Sequence, residues 1–318
     1  MKSSRNKTID IPLTEGQHYL KRCIFPESAQ NIGDITDKII CGDTIKTAPL
    51  LPHGFADLVI ADPPYNLDKD FHGDKFKRMS ADEYAQYTRE WINAVLPLMS
   101  ENSSIYVCCD WESSLVIGNV LSEFFTVRNR ITWQREKGRG TQRNWKNGME
   151  DIWFATRTSD YCFNADAVKQ RRRVIAPYHR DNGSPKDWEQ TDSGNWRNTY
   201  ASNFWDDISI PYWSMAENTP HPTQKPEKLI AKLILASSNE GDMIFDPFAG
   251  SGTSAVTANK LNRHYCAIER SEQYCVWAQK RLEMADGDRS IQGYTDGVFW
   301  ERNSSGIQRR NARRKNTK

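Results

Sequence analysis

The chain has 318 residues, 38% of them hydrophobic and 26% charged, with a formal net charge of +2. Those values fit one large folded domain, or one domain with a sizeable insertion, and bulk charge singles out no class of partner. Seven cysteines without a CxxC pair exclude a disulfide framework or a zinc site and read as reduced thiols.

Residues 1–36 show no clear periodicity and read as an amino-terminal arm; they lack the apolar core of a signal peptide. "KIICGD" at 38–43 predicts a short strand ending in a Gly-Asp turn, and "DLVIAD" at 57–62 a strand buried on both faces. "SADEYAQYTREWINAVLPLM" at 80–99 predicts a helix, with Ser80 and Glu83 as a capping pair and apolar or aromatic residues at 84, 87, 91, 95 and 98. Then follow strand "SSIYVCC" at 103–109, a helix at about 112–125 and strand "RNRITW" at 128–133. The basic loop "REKGRGTQRNWKNG" at 135–148 leads into strand "DIWFAT" at 151–156. Residues 165–218 are rich in Arg, Asp, Asn, Trp and Tyr, with little periodicity, as expected of an inserted recognition segment.

Order returns with an amphipathic helix in "QKPEKLIAKLILASS" from 224. Strand "MIFD" at 243–246, a helix at about 251–262, strand "HYCAIE" at 264–269 and a helix at about 272–285 complete the pattern. This alternation predicts a doubly wound, mainly parallel α/β sheet in residues 37–164 and 219–286. Residues 287–318 read as a basic tail, with six Lys/Arg and no acid from Gly306 onward. Between Arg128 and Arg197 stand 15 Lys/Arg against 9 Asp/Glu, a candidate nucleic-acid footprint. No run approaches the roughly 18 apolar residues that span a bilayer, so a cytoplasmic protein without membrane contact is expected.

Two motifs carry chemistry. In "ADPPYNL" at 61–67, Pro63 and Pro64 stop the strand and remove two backbone donors. What remains at the strand's carboxyl end, where open α/β sheets bind ligands, is a carboxylate, fixed carbonyls and an aromatic face. In "FDPFAGSGTSAV" at 245–256, Gly250 and Gly252 sit between a strand and a helix, and Glu269 ends the next strand, placed to accept a ribose diol. The spacing departs from GxGxxG and lacks a Walker lysine, so a nucleoside-bearing cofactor is favoured over phosphate cradling.

Together "DPPY" at 62–65, "HPTQKP" at 221–226 and "DPFAGSGT" at 246–253 resemble the S-adenosylmethionine-dependent amino-methyltransferases of DNA. The catalytic motif precedes the cofactor motif, the permuted order of their β group, and the resemblance spans about 37–285 except the stretch near 165–218. It implies a seven-stranded Rossmann-like methyltransferase sheet with an antiparallel hairpin strand. Asp246, Phe248, Gly250, Gly252 and Thr253 are implied around the cofactor's methionine side, Glu269 at its ribose and Asp43 at its adenine. His221, Thr223 and Lys225 are implied to close over its methionine end, with no metal.

The acid, prolines and tyrosine then acquire a purpose. An exocyclic base amine is a poor nucleophile, because its lone pair is delocalised into the ring. Acceptors at Asp62 and the Pro63 carbonyl would grip its N–H groups and stabilise developing positive charge. Pro64 fixes the chain, and Tyr65 offers a stacking face. In a duplex the target nucleotide must be flipped out. Trp133 is the candidate second stacking face; Arg139, Arg143 and Lys146 are candidates for phosphate contact. Arg171, Arg172, Arg173 and Arg197, with Asn182, Asn195 and Asn198, are candidates for base and phosphate recognition. By resemblance, Asp rather than Ser at position 62 implies adenine N6 over cytosine N4. The expected partner is double-stranded DNA; a cognate restriction endonuclease and a homodimer stay open. So do N4-cytosine methylation, RNA or protein amine methylation, and a catalytically silent DNA-binding protein on the same scaffold.

Overall fold

The computed structural model describes residues 5–71, 74–135, 142–175, 177–302 and 304. Eight strands form the main sheet, in the spatial order Lys38–Cys41, His264–Glu269, Met243–Asp246, Ala56–Ala61, Met99–Cys109, Met149–Thr156, Thr126–Gln134 and Phe204–Trp205. Pairing is parallel except on either side of Met149–Thr156, the reversed hairpin strand. Seven strands match the expected sheet. The eighth, Phe204–Trp205, comes from the insertion, which returns to pair along the edge of Thr126–Gln134.

The unbroken apolar runs are explained by two cores, one on each face of the sheet. Leu58 and Ile60 enter one cluster, Val59 and Ala61 the other, as strand alternation requires when both faces are covered. Helices Ala81–Val95 and Trp111–Phe124 pack on one face; Glu227–Ser237, Thr253–Lys260 and Glu272–Gly287 pack on the other. Ser80 and Glu83 form the capping box that starts Ala81–Val95, and Pro97 limits its end to a 3₁₀ turn at Leu96–Leu98. The amino-terminal arm is docked: Ile11 accepts hydrogen bonds from Gln273 and Trp277 of the last long helix.

The insertion is more regular than its composition suggested. Strands Gln170–Arg173, Gly194–Thr199 and Glu189–Thr191 join Val298–Trp300 and Tyr294–Thr295 in a five-stranded second sheet. Part of the segment expected as a tail is therefore structural, while its basic stretch from 305 lies outside the described residues.

Helix Glu227–Ser237 differs from its amphipathic reading, because every residue in it is buried. Its polar face meets the insertion instead of water. Lys228 and Lys232 both pair with Asp207, at 2.6 and 2.7 Å, and Lys228 also donates to the Asp207 carbonyl. Burial pushes Asp207 upward, but the two ammonium groups outweigh it and hold the carboxyl at about 2. Burial lowers Lys232 to about 8 against the opposing pull of Asp207.

Asp207→Asn leaves two buried ammonium groups without a counter-charge, and its unfolding free energy is expected to drop by about 3–5 kcal/mol, read from denaturant titrations. Since the folded carboxyl lies below its unfolded value, its contribution is complete above pH ~4 and fades as pH falls toward 2. The wild-type advantage over the variant should shrink over that window.

Candidate active site

At the carboxyl ends of the central parallel strands lies a cavity of about 390 Å³, with Asp43, Asp62, Tyr65, Asp246, Gly250 and Glu269 on its wall. The strand register places them together: Cys41 pairs with Glu269, Asp246 with Ala267, and Phe245 with Val59. Each strand stops at the same edge, and Asp43, Asp62, Asp246 and Glu269 stand at or just past those ends. Pro63, Pro64, Phe248, His221, Thr223, Lys225 and Thr253 also line it.

The glycine loop is held by the acid that ends the neighbouring strand. Glu269 accepts the Gly250 N–H at 2.7 Å through one oxygen and the Ser271 N–H at 2.7 Å through the other. Each oxygen keeps a further lone pair. Burial pushes Glu269 up to about 7, and Asp246 likewise to about 7. Asp246 is tied to its own loop, accepting the Phe248 N–H at 2.9 Å. Asp43 caps the helix Thr44–Thr47, and the Thr44 hydroxyl donates to the Pro247 carbonyl, fastening the first strand's turn to the glycine loop.

The two glycines have different jobs. Gly250 has φ +52°, and a Cβ there would lie 3.0 Å from His221 Nε2, so its bareness lets the His221 ring close over the loop. His221 is steadied edge-on against Tyr274, 4.4 Å between centroids. Gly252, expected to line the ligand, does not border the cavity. Its φ is +77°, and a Cβ would fall 2.6 Å from Ala278 Cβ, so this glycine serves helix packing.

Lys225, expected over the cofactor's methionine end, sits instead on the catalytic motif. Its Nζ donates to Asp62 Oδ2 at 2.6 Å and to the Tyr65 hydroxyl at 2.9 Å, and lies 3.4 Å from Glu150 Oε2. Tyr65 in turn lies 3.0 Å from Asp62 Oδ1 and 3.2 Å from Glu150 Oε2, and can donate to one of them at a time. Arg135 closes the chain on Glu150 Oε1 at 2.5 Å. Burial alone would lower Lys225; Asp62 and Glu150 outweigh it and hold the ammonium above its usual range. Burial, then Asp62 and Glu150, raise Tyr65 well above the usual phenol value, so its hydroxyl stays protonated. Glu150 and Arg135 were missed in the sequence, where they look like ordinary charges flanking a basic loop. Only the 126–156 hairpin pairing brings them beside the DPPY motif.

Trp133 is a correction. It is 2% exposed, its indole N–H donates to the Ile208 carbonyl at 3.0 Å, and it lines a small second cavity beside Glu150 and does not border the main one, so it offers no stacking face there. The strand Phe204–Trp205 pairs directly beside it. Arg143 and Lys146 lie on an exposed, irregular stretch with Trp145, which is 91% exposed; Arg139 falls outside the described residues. Arg171, Arg172 and Arg173 do not form one patch, because strand alternation sends Arg172 to the face opposite its neighbours. Arg171 pairs with Glu189 and lies over Trp300, while Arg172 binds the Gln170 side chain at 2.8 and 3.1 Å. Arg197 is 3.4 Å from Asp187. Among the described residues, no group of three or more His, Cys, Asp or Glu is arranged to hold a metal ion.

A doubly wound sheet with a DPPY acid and a glycine loop on one cavity defines a Rossmann-like methyltransferase. The family profile described as DNA methylase, of the N6/N4 type, matches residues 56–280. The type II methyltransferase M.HpaI of Haemophilus parainfluenzae is 32% identical over 249 residues, which span 77% of this chain and 74% of that one. The DNA adenine methyltransferase YhdJ of Escherichia coli (strain K12) is 30% identical over 260 residues, or 80% and 85% of the two chains. Among solved structures, M1.HpyAVI in complex with SAM superposes with a TM-score of 0.53 at 24% identity, covering 77% of this chain and 98% of that one. The chain belongs to the DNA methylase family.

Gly252→Ala combines a left-handed backbone with a clash on Ala278, and a loss of about 1–3 kcal/mol of stability is expected. A lowered melting temperature would show it; an unchanged one would return Gly252 to a ligand-facing role.

Proposed function

We propose that this chain is a site-specific DNA adenine N6-methyltransferase that uses S-adenosylmethionine. The observation that carries the reading is the Asp62 carboxylate, fixed at the end of a buried strand on the same cavity as the glycine loop and Glu269. The cavity has the size of a cofactor site. Glu269 keeps a lone pair on each oxygen for a ribose diol, and the bare Gly250 backbone and Asp43 border the same space. These features fit the cofactor, which when bound supplies a methyl group activated on a sulfonium.

The chain's own residues do the rest. Asp62 and the Pro63 carbonyl accept the N–H groups of the target amine and favour the positive charge that grows on it. Tyr65 lends its ring to an everted base. The insertion sheet, with Arg172, Arg173 and Arg197, and the exposed stretch with Arg143 and Lys146 supply duplex contacts. Asp at position 62 and the likeness to an adenine methyltransferase at 30% identity support adenine as the target. The likeness to a type II methyltransferase supports a role in modification alongside a restriction endonuclease, and a cytoplasmic location goes with that reading.

Single-molecule sequencing of DNA from cells expressing the chain should report N6-methyladenine in one sequence context. N4-methylcytosine would replace the base assignment, and unmodified DNA would overturn the reading. Asp62→Ala is expected to lose turnover by about 100-fold or more while binding cofactor as before, measured by tritium transfer and calorimetry.

Cofactor affinity should also rise with pH through about 7, because burial holds Glu269 and Asp246 protonated below that value and a diol or sulfonium favours the ionised forms. Calorimetry in buffers of differing ionisation enthalpy should detect proton release on binding near neutrality. Affinity independent of pH between 5.5 and 8, expressed on the order-of-magnitude scale of one pK unit per tenfold, would remove these acids from the binding step.

A further inference from the structure

Methylation of an amine leaves one proton too many on the nitrogen. The N–C bond forms, the S–C bond breaks with its electron pair going to sulfur, and an N–H proton must then depart. A base and a cofactor seated in the main cavity would occupy the space beside Asp62, so a second exit behind it becomes relevant. A second, small cavity of about 70 Å³ lies behind the network, with Glu150, Arg135, Lys225 and His221 on its wall. Asp62 and Tyr65 face the first cavity but not the second, Glu150 the second but not the first. The hydroxyl of Tyr65 spans the gap, 3.0 Å from Asp62 Oδ1 and 3.2 Å from Glu150 Oε2.

We propose that Glu150 takes up the proton released by methyl transfer, relayed from Asp62 through the Tyr65 hydroxyl, and passes it to water in the small cavity. This rests on the reading of Asp62 as the amine's acceptor. The proton moves from the methylated nitrogen to Asp62. Asp62 Oδ1 then donates to the Tyr65 oxygen while the Tyr65 O–H proton passes to Glu150 Oε2. Tyr65 ends as it began, Asp62 is again a carboxylate, and Glu150 carries the proton. A tyrosine held strongly protonated suits such a transfer, since it exchanges one proton for another without becoming a phenolate.

The groups around Glu150 fix its position; the two cations also favour its ionised form, so the proton it receives is passed on to water and not retained. Arg135 and Lys225 face it with positive charge at 2.5 and 3.4 Å, Asp62 lies beyond Tyr65, and burial keeps the nearby thiols of Cys108 and Cys109 protonated. Asp151 points to the other face of its strand, bonded to Thr132, and His221 borders the same small cavity. The two cations hold the Glu150 carboxylate in place and leave Oε2 aimed at Tyr65. Glu150 thus acts through Asp62 and Tyr65 and never touches the base.

Glu150→Gln keeps an acceptor for Tyr65 but cannot take up a proton. On DNA that the wild type methylates, its turnover is expected to fall by about 100-fold. The solvent deuterium isotope effect on its single-turnover methyl transfer should also differ from that of the wild type, because proton uptake at residue 150 is lost. Formate or imidazole should restore part of the rate, and Glu150→Asp should keep the wild-type isotope effect. Infrared difference spectra through one turnover should carry a protonated-carboxyl band in the wild type and none in Glu150→Gln. A Glu150→Gln enzyme with the wild-type rate and isotope effect, no chemical rescue and an unchanged band would overturn the relay. Should that variant fail to fold, Tyr65→Phe, which cuts the path between two intact carboxylates, must give the same loss of rate and the same change in isotope effect. If Asp62→Ala still methylates, the acceptor reading beneath the relay falls as well; if Asp62→Ala is inactive and Glu150→Gln behaves as wild type, the relay alone falls.

Discussion

Asp62 and Lys225 lie 163 residues apart in the sequence and 2.6 Å apart in the fold, and the active site is organised around that contact. The carboxylate stands at the end of a strand that two prolines forbid to continue. The ammonium stands just ahead of a helix that is buried from end to end. Neither group could be buried alone, since an unpaired charge away from water costs several kcal/mol. Each therefore fixes the other, and Tyr65, Glu150 and Arg135 complete an alternating set of donors and acceptors between the DPPY turn and the hairpin 126–156.

The same helix carries a second junction. Lys228 and Lys232 reach the opposite way, to Asp207 of the insertion, and Lys228 also donates to the carbonyl of Trp300 near the carboxyl end. One rigid element thus touches Asp62 just ahead of its start and the insertion along its polar face. The insertion in turn pairs Phe204–Trp205 with the sheet edge and draws Val298–Trp300 into its own sheet. A segment attached at so many points holds a fixed position relative to the cavity.

Much of this was legible in the residues. "MIFD" and "HYCAIE" fell on the strands at 243–246 and 264–269, because short β-branched and aromatic runs bounded by turn residues leave few alternatives. Ser80 with Glu83 marked a helix start, since a capping box is local chemistry. The residues of the DPPY and glycine motifs met at one cavity because parallel strands end at one edge. What misled was any reading that depended on which face is covered. Lys228 and Lys232 gave helix Glu227–Ser237 an outer face in sequence, yet the insertion covers it. Trp133 looked available beside a basic loop, yet Trp205 and Ile208 pack against it. Arg171–Arg173 looked like one patch, yet a strand splits it.

The sequence by itself determined the doubly wound sheet, the strand ends that bear Asp62, Asp246 and Glu269, and the positive-φ turn at Gly250 and Gly252, because those features follow from local sterics, periodicity and turn chemistry. Only the tertiary structure decided that Lys225 pairs with Asp62, that Glu150 stands behind Tyr65, that Gly252 packs a helix, and that the insertion and the carboxyl-terminal hairpin build one sheet. Those outcomes depend on contacts between segments from tens to more than a hundred residues apart. Charge pairing and burial are settled there by the whole packed chain, and no local pattern encodes them.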